Sequence, residues 1–331
     1  MRWLTRLFAL VLVSALWSAS ARADVQAPGK SVAPESSMWR KKLGTFRIGI
    51  VGGNRAGLRT RQSEPFRRVV EKTLNMPVEI FTARDHSALV EALVASRIEY
   101  AVLSGTSYAA AWRVCKCVEP LVAPAAANGT TSFRSVLITR STGPNSLGEA
   151  AGGKILVPGR QSFAGYLYPR AQLAAEGHVL GGAKWPLTIE KGAEQATTAF
   201  LGGSGDALFG WEAEPVNGEA VTRGTRATLA GGTGSAATDY QLVWRSKPVP
   251  HGPHTVRSAL DSEAKDLLSE FLLTMNETDP AAYDAIEPFL GGGFKKIAAE
   301  AYKPVIRALD YRMSPQEALR ASLLSQLRLS Q

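Results

Sequence analysis

The sequence predicts an α/β protein built as two lobes around a ligand cleft, with two crossover segments acting as hinges. Three observations carry this. From Phe46 onward, β-branched apolar runs alternate with amphipathic stretches of helical period. The alternation restarts in the second half with strands of its own. The chain has 331 residues, enough for about two domains. Its 45% hydrophobic and 20% charged residues supply a packed core and exclude wholesale disorder.

The N-terminus reads as a cleavable leader. Arg2 and Arg6 precede an apolar run from Leu7 to Trp17, and the small residues end in Ala21-Arg22-Ala23. A basic start, a short apolar core and an A-x-A site place signal-peptide cleavage before Asp24, and the run is too short to anchor in a bilayer. Loss of residues 1–23 removes Arg2, Arg6 and Arg22 and no acids, lowering the net charge from +9 to +6. That excess favours small anions or a membrane surface. No dense Lys/Arg block or basic strip interleaved with aromatics is present, so no nucleic-acid partner is expected. Residues 24–44, rich in Pro, Ser, Gly and Lys, read as a linker.

The first lobe is expected from residues 45–138 and 243–331, and the second from 139–242. Phe46 to Val51 is a strand, ending in Gly52-Gly53-Asn54-Arg55-Ala56-Gly57. Ser63 caps a helix to Leu74, with Pro65 in its first turn and Asn75 as its stop. Val78 to Thr82 is a strand, Ser87 to Ala95 a helix, and Tyr100 to Leu103 a strand running into Ser104-Gly105-Thr106-Ser107-Tyr108 and an alanine-rich helix. Alternation of this kind implies a parallel sheet covered on both faces.

In the second lobe, strands are expected at Val136–Thr139, Lys154–Pro158, Thr188–Ile189, Asp206–Trp211 and Tyr240–Trp244. Helices are expected at Ser146–Ala151, Phe163–Ala175 (stopped by Gly177) and Glu194–Leu201. The chain is expected to cross between lobes near 136–140 and 241–245, with Pro248, Pro250 and Pro253 marking a change of region. Helices then follow at Glu263–Asn276, Phe294–Leu309 and Pro315–Leu327.

At the carboxyl ends of parallel strands, loops leading into helices gather free N–H groups and the positive helix dipole, which suits an anion. Three corners qualify. Gly52–Gly57 offers Asn54 and Arg55, or is a flexible loop. Ser104, Thr106, Ser107 and Tyr108 surround an oxyanion, or form an N-cap with Tyr108 in the core. Ser162, Phe163, Ala164 and Gly165 hold the matching position in the second lobe, or are a cap with simple packing. Asp206 is expected to cap or orient a cleft residue, and Glu212 and Glu214 to be solvated.

Cys115 and Cys117 flank Lys116 at or near the surface, either as a tight disulfide or as free thiols. No further ligands lie at metal-binding spacing and no His-x-x-x-His occurs, so no metal or cofactor is expected. G-x-S-x-G, H-E-x-x-H and Walker A motifs are absent, and no enzymatic activity is expected.

From about Phe46 to Leu309 the order and spacing resemble the phosphate/phosphite/phosphonate-binding proteins of bacterial ABC importers. The family's G-P-x-S-Y corner is matched by Ser104-Gly105-Thr106-Ser107-Tyr108. Its S-T-S-G-Y-x-x-P motif is matched by Gln161-Ser162-Phe163-Ala164-Gly165-Tyr166-Leu167-Tyr168-Pro169, and G-x-x-D-A by Gly203-Ser204-Gly205-Asp206-Ala207. Trp244 to Pro250 resembles the family's return to the first lobe. The resemblance implies a type II periplasmic binding protein fold. It also implies a periplasmic, monomeric carrier of a small anionic solute such as phosphonate, phosphite or phosphate, with an inner-membrane ABC permease as partner. A sensor or accessory protein that kept the fold is the alternative.

The departures concern the ligand. Phe163-Ala164 stands where the family has gripping hydroxyls, so Phe163 is expected to narrow the cleft and Tyr108 to donate from its phenol. Gly192-Ala193-Glu194-Gln195 stands where the family often has a His, and a carboxylate there repels a dianion.

Overall fold

The computed structural model describes residues 38–215, 223–232 and 236–312. The leader, most of the expected linker and the helix expected at 315–327 lie outside them. The end of that linker is a helix, α1 (Met38–Leu43). It is anchored by burial of Trp39, whose indole N–H donates to Glu263 at 3.0 Å, and by an Arg40–Glu263 ion pair.

The first lobe then follows the strand and helix signals closely. Its elements are β1 (Phe46–Val51), α2 (Ala56–Gln62), α3 (Glu64–Leu74), β2 (Val78–Ala83), α4 (His86–Val94), β3 (Tyr100–Val102), α5 (Gly105–Cys115) and β4 (Val118–Pro124). Asn75 stops α3 in the left-handed conformation, φ 49°. Ser63 precedes that helix, but its hydroxyl donates back to the Arg59 carbonyl instead of capping. α2 and β4 lack a sequence signal: α2 contains Gly57 and no apolar stripe. It is held from outside, by Arg59 donating to the Ala285 and Ile286 carbonyls and by a 2.6 Å Thr60–Thr82 hydroxyl pair. Cys115 and Cys117 are bridged, half-buried where α5 turns into β4.

Next come β5 (Ser132–Arg140), α6 (Leu147–Ala150), β6 (Ile155–Val157), a wide π-helical turn at Phe163–Leu167, α7 (Tyr168–Ala175), β7 (Leu187–Ile189), α8 (Ala193–Leu201), β8 (Ala207–Ala213), α9 (Thr225–Gly232), β9 (Tyr240–Arg245) and β10 (Val249–Pro250). The chain then returns with β11 (His254–Arg257), α10 (Ser262–Thr278), α11 (Pro280–Ile286), β12 (Phe294–Lys296) and α12 (Lys303–Arg312). The single helix expected over 294–309 is therefore a strand, a short 3₁₀ turn and a helix. Phe294 pairs with Pro124 at the sheet edge, and the helical period resumes only after Tyr302.

Each sheet is mixed. In the first, ordered β12-β4-β11-β3-β1-β2, β1 runs parallel to β2 and β3, and the returning β11 inserts antiparallel between β3 and β4. In the second, ordered β10-β5-β8-β6-β7 with β9 also on β5, β6 is parallel to β7 and β8 while β5 opposes its neighbours. The segments expected to cross, 136–140 and 241–245, both lie inside this second sheet, because β5 needs all nine residues to pair with β8, β9 and β10. The chain passes between sheets at 125–131 and 251–253 instead, which moves the boundaries from 138/139 and 242/243. Gly252 lets the second passage lie flat on the Ser104 corner, since a Cβ there would sit 2.1 Å from the Leu103 carbonyl oxygen.

One apolar cluster runs through both lobes, joining Tyr108 and Ala109 of α5 to Tyr166, Tyr168 and Leu173 of the second lobe through Tyr302, Val305 and Leu309. Helix α12 is thus packed on α5 and α7 together.

Candidate functional site

The parallel strands bring their carboxyl ends to one edge of each sheet. In the first lobe that edge carries Gly52–Arg55 after β1, Arg84–His86 after β2 and Ser104–Thr106 after β3. In the second it carries Pro158–Gly165 after β6, Glu190–Glu194 after β7 and Glu214 after β8. The edges meet: Asn128 donates to the Glu214 carbonyl, and Arg223 donates across to the Phe289 carbonyl in the loop before β12. Beside that contact, burial raises the Glu287 carboxyl, opposed by the Phe289 and Leu290 N–H groups and by Arg59 and Arg223.

A cavity of about 330 Å³ opens on the second-lobe edge. One side is the start of the Phe163 turn, where Ser162 Oγ accepts the Gly165 N–H at 3.1 Å and leaves the N–H groups of Phe163 and Ala164 outside the helical ladder. Opposite lies the first turn of α8, which has Gly192 and no side chain at its cap. Glu194 there complements the helix dipole, and its exposed carboxylate is the only charged group in the cavity wall among the described residues. Trp211, Thr225 and Thr228 complete the rim.

Of the residues expected at the site, Ser162, Ala164 and Gly165 line this cavity. Gly165 is required there, because a Cβ would overlap the Pro158 ring at 2.3 Å. Phe163 is not in the wall: its ring stacks on Tyr168 at 5.3 Å and joins the apolar cluster between lobes, so it does not narrow the cavity. Thr106 and Ser107 line a different, open groove with His86, Ser87 and Leu309. Ser104 is the N-cap of α5, accepting the Ser107 N–H at 3.1 Å. Asn54 and Arg55 are exposed at the first-lobe edge in a 3₁₀ turn, and so in ordered backbone instead of a flexible loop.

Further expectations are corrected. Asp206 precedes β8, at the amino end of the parallel strands, where its carboxylate accepts the Lys154 N–H at 2.7 Å, so it lies at the far end of the sheet from Ser162. Tyr108 is wholly enclosed, 4.7 Å from Tyr302. Four residues past the cap, it shares with Ser107 and Ala111 the face of α5 that packs inward. Its hydroxyl has no hydrogen-bond partner among the described residues, and burial raises it to about 12. Tyr108→Phe should therefore leave ligand affinity unchanged and raise unfolding free energy by roughly 1 kcal/mol, since it removes an unsatisfied buried hydroxyl. Calorimetry and urea unfolding of the variant check both. Glu212 and Glu214 are not solvated acids either: Glu212 is buried and pairs with Arg226 at 2.8 Å, and Glu214 pairs with Arg134 at 2.6 Å.

The sequence reading missed Trp211, Thr197, Thr225 and Thr228 as lining residues. Trp211 had a signal, an aromatic at the carboxyl end of a buried strand. The threonines had none, because α8, which carries Thr197, and α9, which carries Thr225 and Thr228, meet β8 only in three dimensions.

Comparison with known proteins follows the same lines. The structure is similar to XAC2383 of Xanthomonas citri bound to chloride, 18% identical with a TM-score of 0.60, covering 81% of this chain and 99% of that one. It is also similar to PhnD1 of Prochlorococcus marinus in complex with methylphosphonate, 12% identical with a TM-score of 0.54, covering 80% and 97%. These likenesses concern the fold, a two-lobed type II periplasmic binding protein. In sequence, the chain is 25% identical over 214 residues to the phosphate-import protein PhnD of Mycolicibacterium smegmatis, covering 62% of this chain and 64% of that relative, just under two thirds of its length. The family model for the periplasmic substrate-binding protein of the phosphonate ABC transporter matches residues 56–302, well over half of the chain, and the protein belongs to that family.

Proposed function

We propose that this protein is an exported, monomeric binding protein that captures a small anionic solute of the phosphonate, phosphite or phosphate class and delivers it to an inner-membrane ABC permease. The observation that supports this most directly is the cavity between the Ser162–Gly165 turn and the first turn of α8. There, two segments that each begin a helical turn and leave N–H groups outside its ladder line one space, which supports binding of an oxyanion without a dedicated cation. Its place at the carboxyl edge of a parallel sheet is where open α/β folds bind ligands. The relatives agree in kind: PhnD1 holds methylphosphonate and the mycobacterial PhnD is named for phosphate import. The basic start, apolar run and A-x-A site within residues 1–23 support export, with the mature chain in the periplasm.

A thermal-shift panel of phosphonates, phosphite, phosphate, sulfate and carboxylates tests this, because a ligand that binds only the native state raises its melting temperature. At least one phosphorus oxyanion should raise it. A shift confined to uncharged solutes would remove the oxyanion reading.

A further inference from the structure

The chain has two cysteines, and they are bonded to each other across a single residue. A cross-link stabilises a fold mainly by restricting the unfolded chain, and that effect grows with the length of the loop it closes. Here the loop is Cys115-Lys116-Cys117, close to the shortest possible, and it joins no elements that are distant in the chain. Lys116 already turns the end of α5 toward β4 by adopting the left-handed conformation, φ 50°, with its N–H donating to the Trp112 carbonyl at 2.7 Å. A scaffolding role leaves the bond little to do.

Its surroundings suit reaction instead. Both cysteines keep part of their surface open, and the residues on either side of Cys115, Val114 and Lys116, are exposed. The Cys117 N–H donates to Cys115 Sγ at 3.2 Å, so negative charge arriving on that sulfur has a donor already in place. Lys116 adds a cation between the two in sequence, its ammonium 5.8 Å from the centre of the Trp112 ring on the last turn of α5. Glu119, the first acid after the bridge, is paired with Lys265 at 2.8 Å. The carbonyl end of α5 opposes a thiolate, and the Cys117 N–H and the Lys116 charge offset it. Cys115 Sγ also lies 3.5 Å from the Ala111 carbonyl oxygen, an acceptor for the thiol once it is protonated. Cys117 Sγ has no polar partner among the described residues. The two sulfurs are therefore unequal.

We propose that the Cys115–Cys117 bond is a thiol–disulfide exchange site that accepts two electrons from an external thiol, with Cys117 as the sulfur attacked and Cys115 as the leaving group. The inference is independent of the ligand reading above. An incoming thiolate attacks Cys117 Sγ, a new S–S bond forms there, and the bond to Cys115 breaks. The electron pair of that bond stays on Cys115 as a thiolate held by the Cys117 N–H. A second external thiolate then attacks the sulfur of the first, which releases Cys117. The external thiols leave joined as a disulfide, and their two protons end on Cys115 and Cys117. A leaving sulfur whose thiolate is stabilised departs faster, which sets the direction of attack.

The test uses the purified, oxidised protein and reduced glutathione at neutral pH, with acid quenching and mass spectrometry. The folded protein should be reduced at no less than about a tenth of the rate of the same chain unfolded in urea, because the bond is reached without opening the fold. Circular dichroism confirms that the dithiol form is still folded. Trypsin cuts after Lys116 and so separates the two cysteines, and the early glutathione adduct should lie on Cys117 in at least about a fivefold excess. Lys116→Gln, which removes the charge and keeps the side chain's length, should slow the reaction about two- to threefold. Reduction that occurs only as the protein unfolds, an adduct chiefly on Cys115, or a rate unchanged by Lys116→Gln overturns the inference.

Discussion

Lowering the pH from 7 to 5 should destabilise the fold by about 2 kcal/mol through His254 alone. His254 lies on β11 with no exposed surface, edge-on to Phe294, its Nδ1 paired with the Tyr100 hydroxyl and its Nε2 without a partner among the described residues. Burial pushes its folded-state pKa down from 6.5 to about 3. A proton taken up there would place a charge in the core with no acceptor at Nε2. In the unfolded chain the same ring protonates below 6.5, so between pH 6.5 and about 3 the unfolded state binds more protons. Stability is therefore full above the unfolded value and falls as the pH drops. His251, lowered to about 4 by burial and then by Arg223, acts in the same direction. Urea unfolding at pH 7 and pH 5, on the natural protein and on His254→Gln, isolates the effect. An identical loss in both proteins would show that His254 does not carry it.

Removing the Tyr302 side chain should cost more, roughly 3–5 kcal/mol for Tyr302→Ala, the range for emptying the space of a large buried ring. Tyr302 has no exposed surface and packs on Tyr108, and its hydroxyl donates to the His251 carbonyl at 2.6 Å. The ring therefore belongs to the cluster that joins the lobes, while the hydroxyl ties that cluster to the second crossing. Tyr302→Phe keeps the ring and loses one hydrogen bond, so its cost should stay near 1 kcal/mol. Measured by chemical unfolding, the two variants separate packing from tethering. A cost for Tyr302→Ala no larger than for Tyr302→Phe would mean that the cluster closes over the missing ring without loss.

Most elements were legible because their signals are local. Val78 to Thr82 and the apolar face of α4 carry their own periodicity, and Asn75 and the Ser104 and Ser162 caps punctuate the chain. The turn at Ser162–Gly165, which lines the cavity, was legible as a corner for the same reason, since a strand, a small-residue turn and a helix start occur in succession. Elements held by distant partners were not: β4 and β12 pair with each other, and α2 depends on carbonyls more than 200 residues away.

By itself the sequence determined that the chain is α/β, that its organisation repeats in two halves, and where the anion-suited corners fall. Those properties depend on side-chain period and capping within about ten residues. The tertiary structure decided what they face. It placed the crossings at 125–131 and 251–253, because a strand's sheet membership is set by its partners. It turned Tyr108 and Phe163 toward the apolar cluster between lobes and left Ser162, Ala164 and Gly165 lining a cavity with the first turn of α8. It carried Asp206 to the far end of the sheet, because the direction of β8 relative to β6 decides which end of a strand shares an edge with the Ser162 corner. Direction and pairing arise from contacts between residues remote in the chain, and no local pattern encodes them.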